Sequence, residues 1–244
     1  VIIKRWGWQL LITYENIPLE PKELSELRKY EIEYVFQPIF FPDCRTVYAY
    51  EALMRPKNVT VTDLISDYTR MGRLHELEVL TMFGAAEEYY ARKYKEPMTV
   101  NSFPTESLSQ SEDAEFMRLY KNILTYLIIE ILEYPRADEF IWKLKRDVIR
   151  ENNIPLTLDD FGAGYNGMDA VDFFDPQIVK IDRALISGID TNEGKQKKVL
   201  GYMRKLKEKG ILVLAEGIET EEEREFLVKN GIDLLQGFYL GMPE

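Results

Sequence analysis

Two rhythms of apolar and polar positions alternate along this chain. Short apolar runs bounded by turn-forming residues fall at Tyr34–Phe40, Val47–Leu53, Pro97–Asn101, Tyr126–Ile131, Pro155–Asp159, Gln177–Ile181, Ile211–Glu216 and Ile232–Gln236. Each has the length and character of a strand. Between them lie longer amphipathic stretches, among them Thr62–Tyr94, Asp138–Glu151, Thr191–Lys209 and Glu221–Asn230, whose apolar residues recur with the period of a helix. Pro97, Pro155, Gly210 and the Asn230-Gly231 pair mark helix exits. Strands alternating with helices over 244 residues predict an α/β protein, a TIM-like (β/α)8 barrel. One connection breaks the pattern. Only Phe41–Thr46 separate the first two strands, and a parallel crossover needs about a dozen residues or more. This pair reads as an antiparallel hairpin, so the barrel is expected to have its first strand reversed.

The barrel domain is read over residues 34–244. Residues 1–33 are read as an N-terminal extension, a possible linker with a short helix near Glu20–Tyr30 that has Pro21 in its first turn. The chain opens on Val1, as a piece of a longer protein would. With 42 acidic against 31 basic residues the net charge is -11, which argues against DNA or an anionic membrane surface as the main partner. No apolar run is long enough to span a bilayer. A single cysteine, Cys44, rules out an internal disulfide and fits a cytoplasmic location. The lone histidine, His75, removes zinc sites built from several His or Cys ligands. It lies in a helical pattern with no nucleophile signature nearby, so it reads as a surface or partly buried helix residue. Any chemistry here falls to carboxylates, amides, lysine or a metal.

Barrel active sites sit at the C-terminal ends of the strands. Those ends carry Glu51, Asn101, Glu130, Asp159 with Asp160, Lys180, Glu216 and Gln236. Two adjacent carboxylates at a strand mouth either share a divalent cation or divide their roles, one solvated and the other capping the turn. Oxygen ligands of this kind suit Mg²⁺ or Mn²⁺. The acidic groups exceed what one such ion takes, and two ions about 3.5–4 Å apart would use them, an arrangement that serves phosphodiester hydrolysis. Lys180 among these carboxylates stays charged; it positions water or negative charge, or it forms a structural ion pair.

At this point the motifs resemble a known family. Tyr50-Glu51-Ala52-Leu53-Met54-Arg55 carries the Glu-Ala-Leu signature of the EAL domains, the bacterial cyclic di-GMP phosphodiesterases. Phe36-Gln37-Pro38-Ile39, Glu130-Ile131-Leu132-Glu133, Leu158-Asp159-Asp160-Phe161-Gly162-Ala163-Gly164-Tyr165, Val179-Lys180-Ile181-Asp182-Arg183, Ala215-Glu216-Gly217-Ile218-Glu219-Thr220 and Gln236-Gly237-Phe238-Tyr239 follow in the family's order. The resemblance implies that Glu51, Asn101, Glu130 and Asp159 are metal ligands, with Asp159 bridging to a second metal that Asp160 also holds. It implies catalytic roles at the nucleophilic water for Lys180 and Glu216, with Glu219 in support. Gln37, Leu53, Arg55 and Gln236 are implied to bind substrate, Arg55 through a phosphate, while Glu133 anchors the loop after Asp160. The implied reaction opens cyclic di-GMP to linear pGpG with Mg²⁺ or Mn²⁺, two ions per site. A homodimer is implied, with a sensory or GGDEF-type domain outside this chain and no direct membrane contact. Residue by residue, plainer readings stand beside these: Gln37 as a residue before an edge-strand proline, Arg55 paired with Asp63 or Glu76, and Asp182 as a brace of the barrel.

The family pattern is not matched everywhere. Ala163 replaces a Thr, Asn166-Gly167 replaces a Ser-rich stretch, Leu132 replaces a Thr, Pro56 an aromatic, and Asn-x-Ser becomes Asn101-Ser102-Phe103. None of these changes removes an acidic candidate ligand. Two functions follow: a phosphodiesterase, or a receptor that binds cyclic di-GMP and relays its presence through the altered loop.

Overall fold

The computed structural model describes residues 12–133, 139–162, 164 and 166–244. Ala163 and Tyr165, singled out above, lie outside the described residues. After α1 (Pro21–Leu27) the chain enters β1 (Glu33–Phe40) and β2 (Val47–Arg55). Next come α2 (Val61–Arg70), α3 (Leu74–Arg92), β3 (Met98–Ser102), α4 (Gln110–Tyr120), β4 (Leu127–Ile131), α5 (Glu139–Glu151) and β5 (Leu156–Phe161). The remainder is α6 (Met168–Phe174), β6 (Ile178–Ile181), α7 (Arg183–Ile186), α8 (Glu193–Glu208), β7 (Leu212–Ala215), α9 (Glu221–Lys229) and β8 (Leu234–Leu235).

The strands close into a barrel in sequence order. β1 is antiparallel to both β2 and β8, and every other pair is parallel. This is the reversed first strand that the short Phe41–Thr46 connection demands. A closed barrel leaves no edge, so Pro38 is not an edge-strand proline. It pairs across β1 and β2 with Tyr50, whose N–H is spent on Pro97 of the β3 side. The missing proline N–H therefore costs no ladder bond to β2. The single helix expected over Thr62–Tyr94 is two helices, broken at Gly72, which takes φ 66 in the left-handed region.

Side chains alternate across a strand, so positions two apart share a face. Inside the barrel this produces two layers of opposite character. Ile39, Ala49, Ile128, Ile178, Leu214 and Leu234 pack as an apolar cluster at the lower end. Two residues further toward the upper rim, the same strands carry Gln37, Glu51, Glu130, Lys180, Glu216 and Gln236. β3 and β5 follow the rule with Thr99 below Asn101 and Thr157 below Asp159. The outer strand faces pack against the helices in the main core, which holds Phe36, Leu77, Phe83, Val100, Leu158, Phe161, Val179 and Val213. Ile12, Tyr14, Ile17 and Leu27 join that same core. At the other end of the chain, Glu244 exchanges two backbone hydrogen bonds with Phe36 (2.9 and 3.1 Å), so the tail lies along β1.

Candidate active site at the barrel rim

The polar layer converges on one ammonium group. Lys180 is 1% exposed, and its Nζ lies 2.7 Å from Glu216 Oε1, 3.2 Å from Asp159 Oδ1 and 3.4 Å from Glu51 Oε2, besides a direct hydrogen bond to Glu130. Four strands thus send carboxylates to a lysine on a fifth. Gln236 of the segment after β8 donates to Glu51 Oε2 at 2.7 Å. Asn101 on β3 faces the Ala52 carbonyl at 3.5 Å, beside Glu130, its register partner on β4.

The Asp pair reaches the rim through a strand irregularity. Successive strand residues normally point to opposite faces. The β5–β6 register shifts between Leu158 and Phe161, and Asp160 takes φ 51. Asp tolerates this left-handed conformation better than most residues, and a bulge of this kind re-aims a side chain. Carboxylate oxygens of Asp159, Asp160 and Glu216 thereby lie within 4.8 Å of one another.

The charges are far from balanced. Burial and the neighbouring Glu51 push the Glu130 carboxyl well above the usual carboxylate range, with Lys180 opposing. Burial raises Glu216 likewise, against the pull of Lys180. Asp160 is pushed up to about 7 by burial, then by Asp159 and Asp182. Burial disfavours the Lys180 ammonium, but Asp159, Glu130, Glu216 and Glu51 outweigh it and hold the group charged. Buried oxygens Glu130 Oε2 and Gln236 Oε1 lack a hydrogen-bond donor, and Asp159 Oδ1 has the Lys180 ammonium at 3.2 Å without an aligned hydrogen bond. A site with surplus buried anions and unspent oxygen lone pairs fits a hard divalent cation in both charge and ligand chemistry.

A pocket of about 240 Å³ opens beside this cluster, lined by Gln37, Glu51, Leu53, Arg183, Glu216 and Gln236 among others. Gln37 is fixed by donation to the Gly241 carbonyl at 3.1 Å. Glu219 borders the pocket and pairs with Arg183 at 2.6 Å. Arg183 and the C-terminal tail are site elements that the strand-end pattern did not single out. Arg55, the last residue of β2, reaches the Met54 carbonyl at 2.9 Å. It pairs with neither Asp63, which is bonded to Thr60, nor Glu76, which holds Arg73. Glu133 accepts the Asn166 N–H at 3.1 Å, tying the end of β4 to the loop after Asp160. Asp182 caps α7 by accepting the Ala184 N–H at 2.7 Å. His75 pairs with two glutamates outside the Lys180 cluster, Nε2 lying 3.0 Å from Glu112 and Nδ1 3.7 Å from Glu106.

The EAL domain family model matches residues 22–243. This chain belongs to the EAL domain family. Among curated relatives, the probable cyclic di-GMP phosphodiesterase PdeA of Escherichia coli is 27% identical over 152 residues, which is 60% of this chain and 21% of PdeA. The blue light- and temperature-regulated antirepressor BluF of the same organism is 24% identical over 212 residues, 84% of this chain and 52% of BluF. The chain thus spans between about a fifth and a half of these relatives' lengths. Among solved structures, BlrP1 of Klebsiella pneumoniae in a manganese and cyclic di-GMP complex superposes with a TM-score of 0.74 at 24% identity, covering 94% of this chain and 57% of that one. At that identity the likeness speaks for the EAL fold. No helix among the described residues is long and apolar enough to cross a membrane.

Proposed function

We propose that this EAL domain is a divalent-cation-dependent phosphodiesterase that opens cyclic di-GMP to linear pGpG. The observation that carries the reading is the rim itself, where Glu51, Glu130, Asp159 and Glu216 meet Lys180 and the Asp159-Asp160 pair shares a cation-sized space with Glu216. Relatives named as cyclic di-GMP phosphodiesterases supply the substrate. Glu51, Asn101, Glu130 and Asp159 would hold one Mg²⁺ or Mn²⁺, and Asp159 with Asp160 a second. Bound there, the ions lower the pKa of a water and neutralise phosphate charge.

The chain's own groups supply the rest. Lys180 keeps its proton and orients the attacking water toward phosphorus. Glu216, 2.7 Å from the Lys180 ammonium and beside the Asp159-Asp160 pair, takes the proton that the water gives up. The bond from phosphorus to the 3′ oxygen breaks, that oxygen takes up a proton and leaves as a 3′ hydroxyl, and the product carries the 5′ phosphate. Gln236 holds Glu51 in place, and Glu219 borders the substrate pocket with Arg183. Gln37 and Leu53 line the substrate pocket. Arg55 forms no ion pair among the described residues, which leaves its guanidinium fork for a phosphate. Glu133 anchors the loop after Asp160. A homodimer in the cytoplasm, controlled by a sensory or GGDEF-type domain beyond this chain, completes the proposal.

A receptor that binds cyclic di-GMP without turnover is the second reading, favoured by the match to BluF, a relative named as an antirepressor. Chromatography of cyclic di-GMP incubated with the protein and Mg²⁺ or Mn²⁺ separates the two. Conversion to pGpG is expected. Tight binding with no product over hours overturns the enzyme in favour of the receptor.

A further inference from the structure

Position 166 replaces a hydroxyl-bearing stretch of the family pattern with an amide, and the fold puts that amide to use. Asn166 is 2% exposed. Its Nδ2 donates to the Asp159 carbonyl at 2.6 Å, its N–H donates to Glu133 Oε1 at 3.1 Å, and its carbonyl accepts the Gly162 N–H at 3.0 Å. Three bonds from one residue therefore join the end of β4, the bulged end of β5 and the glycine turn between them. The turn is closely fitted: a Cβ on Gly164 would fall 2.5 Å from both Glu133 carboxylate oxygens. The Asp159 carbonyl belongs to the peptide that joins Asp159 to Asp160. Holding that carbonyl fixes the plane on which both carboxylates turn, where the bulge brings two adjacent residues to one cluster.

We propose that Asn166 is a positioning residue for a divalent cation: it locks the Asp159-Asp160 bulge in the ligand geometry. The inference rests on the metal reading above. A serine at this position is one bond too short to span the same gap, and an alanine offers no donor. The effect belongs to cation affinity, because Asn166 touches the ligand backbone and not the pocket.

The test is a titration of the metal-free protein with Mn²⁺ alone, following free Mn²⁺ by electron paramagnetic resonance, in wild type, Asn166→Ala and Asn166→Ser. Losing one buried donor is expected to weaken Mn²⁺ binding roughly five- to tenfold in both variants. The Mn²⁺ concentration that half-activates cyclic di-GMP turnover should rise by the same factor in both variants, so that the loss appears in the metal requirement. Should Asn166→Ala fail to fold, Asn166→Ser carries the measurement. Unchanged Mn²⁺ affinity in a folded variant overturns the inference while leaving the metal reading intact, even if thermal stability falls. Wild type that binds no Mn²⁺ overturns the metal reading itself, and the inference with it.

Discussion

Two buried lysines in this fold show how a balanced ion pair differs from a crowded one. Lys145 on α5 is 6% exposed and meets one carboxylate, Glu78 on α3, at 2.6 Å. That carboxylate also accepts from Ser102 Oγ at 2.5 Å and from the Phe103 N–H at 2.9 Å, and Lys145 donates to the Glu106 carbonyl at 2.6 Å. One cation faces one anion, and both carboxylate oxygens are engaged. Lys180 instead faces four carboxylates, with two of them pushed well above their usual range and Glu130 Oε2 left without a donor. The first network is complete as it stands and joins α3, α5 and the end of β3. The second is complete only with added positive charge. Both look alike in a list of buried charged residues; the ratio of anions to cations tells them apart.

That contrast is sharpest under mutation of the rim. Asp159→Ala should reduce turnover to background, because it removes an oxygen common to both proposed cation positions. The same change should leave the metal-free fold about as stable as before, since it relieves like-charge crowding. Adding Mn²⁺ at about 100 times its Kd should stabilise wild type by about 2.7 kcal/mol, read as a rise in Tm, and should do much less for Asp159→Ala. Substantial activity in the variant, or a wild-type Tm indifferent to Mn²⁺, would break the distinction between the two lysines.

The reverse pattern is expected at Lys145. Lys145→Met strands the Glu78 carboxylate in the core and should cost roughly 3–5 kcal/mol, measured by urea denaturation. The double change Glu78→Gln with Lys145→Met keeps an acceptor oxygen for the Phe103 N–H and turns an amide N–H toward Ser102 Oγ, which can accept it. It should recover much of that loss. A Lys145→Met penalty below about 1 kcal/mol would place this pair with ordinary surface salt bridges and undo its half of the comparison.

The rim was legible in the sequence because it depends on local rules. Strand period, helix exits and the brevity of Phe41–Thr46 are properties of neighbouring residues, and they carried the reversed first strand and the polar layer from Glu51 to Gln236. What escaped depends on contacts between distant segments. Gln37 is held by Gly241, 204 residues away. The tail pairs Glu244 with Phe36. Glu78 and Lys145 are 67 residues apart, and nothing in either helix announces the other. Asn166 is the most instructive case: its sequence signal was a missing hydroxyl, whereas in the fold its amide crosses to the backbone of Asp159. Arg183 lay inside a recognised motif, yet its pairing with Glu219 across the pocket appears only in three dimensions.

The smallest effect concerns His75, which meets the Lys145 network at Glu106 and makes no ion pair with a rim residue among the described residues. Its imidazole is raised to about 9, chiefly by hydrogen bonding to Glu106, against the cost of burial, with Glu112 adding to the rise. A folded-state pKa above the unfolded value means that the folded protein holds the proton more tightly. The contribution to stability is thus complete below about pH 6.5 and disappears as pH rises through about 9. Because the side chain is 40% exposed, water screens most of the gain, which should stay under about 1 kcal/mol. Urea midpoints of wild type and His75→Gln should therefore differ slightly near about pH 6 and coincide near about pH 10. Cyclic di-GMP turnover should be unchanged in the variant at both, since neither Glu106 nor Glu112 pairs with Lys180 or shares the cation-sized cluster. An advantage of wild type that grows with pH would mean that His75 is held neutral in the fold, and that its two glutamates do not act as its counter-ions.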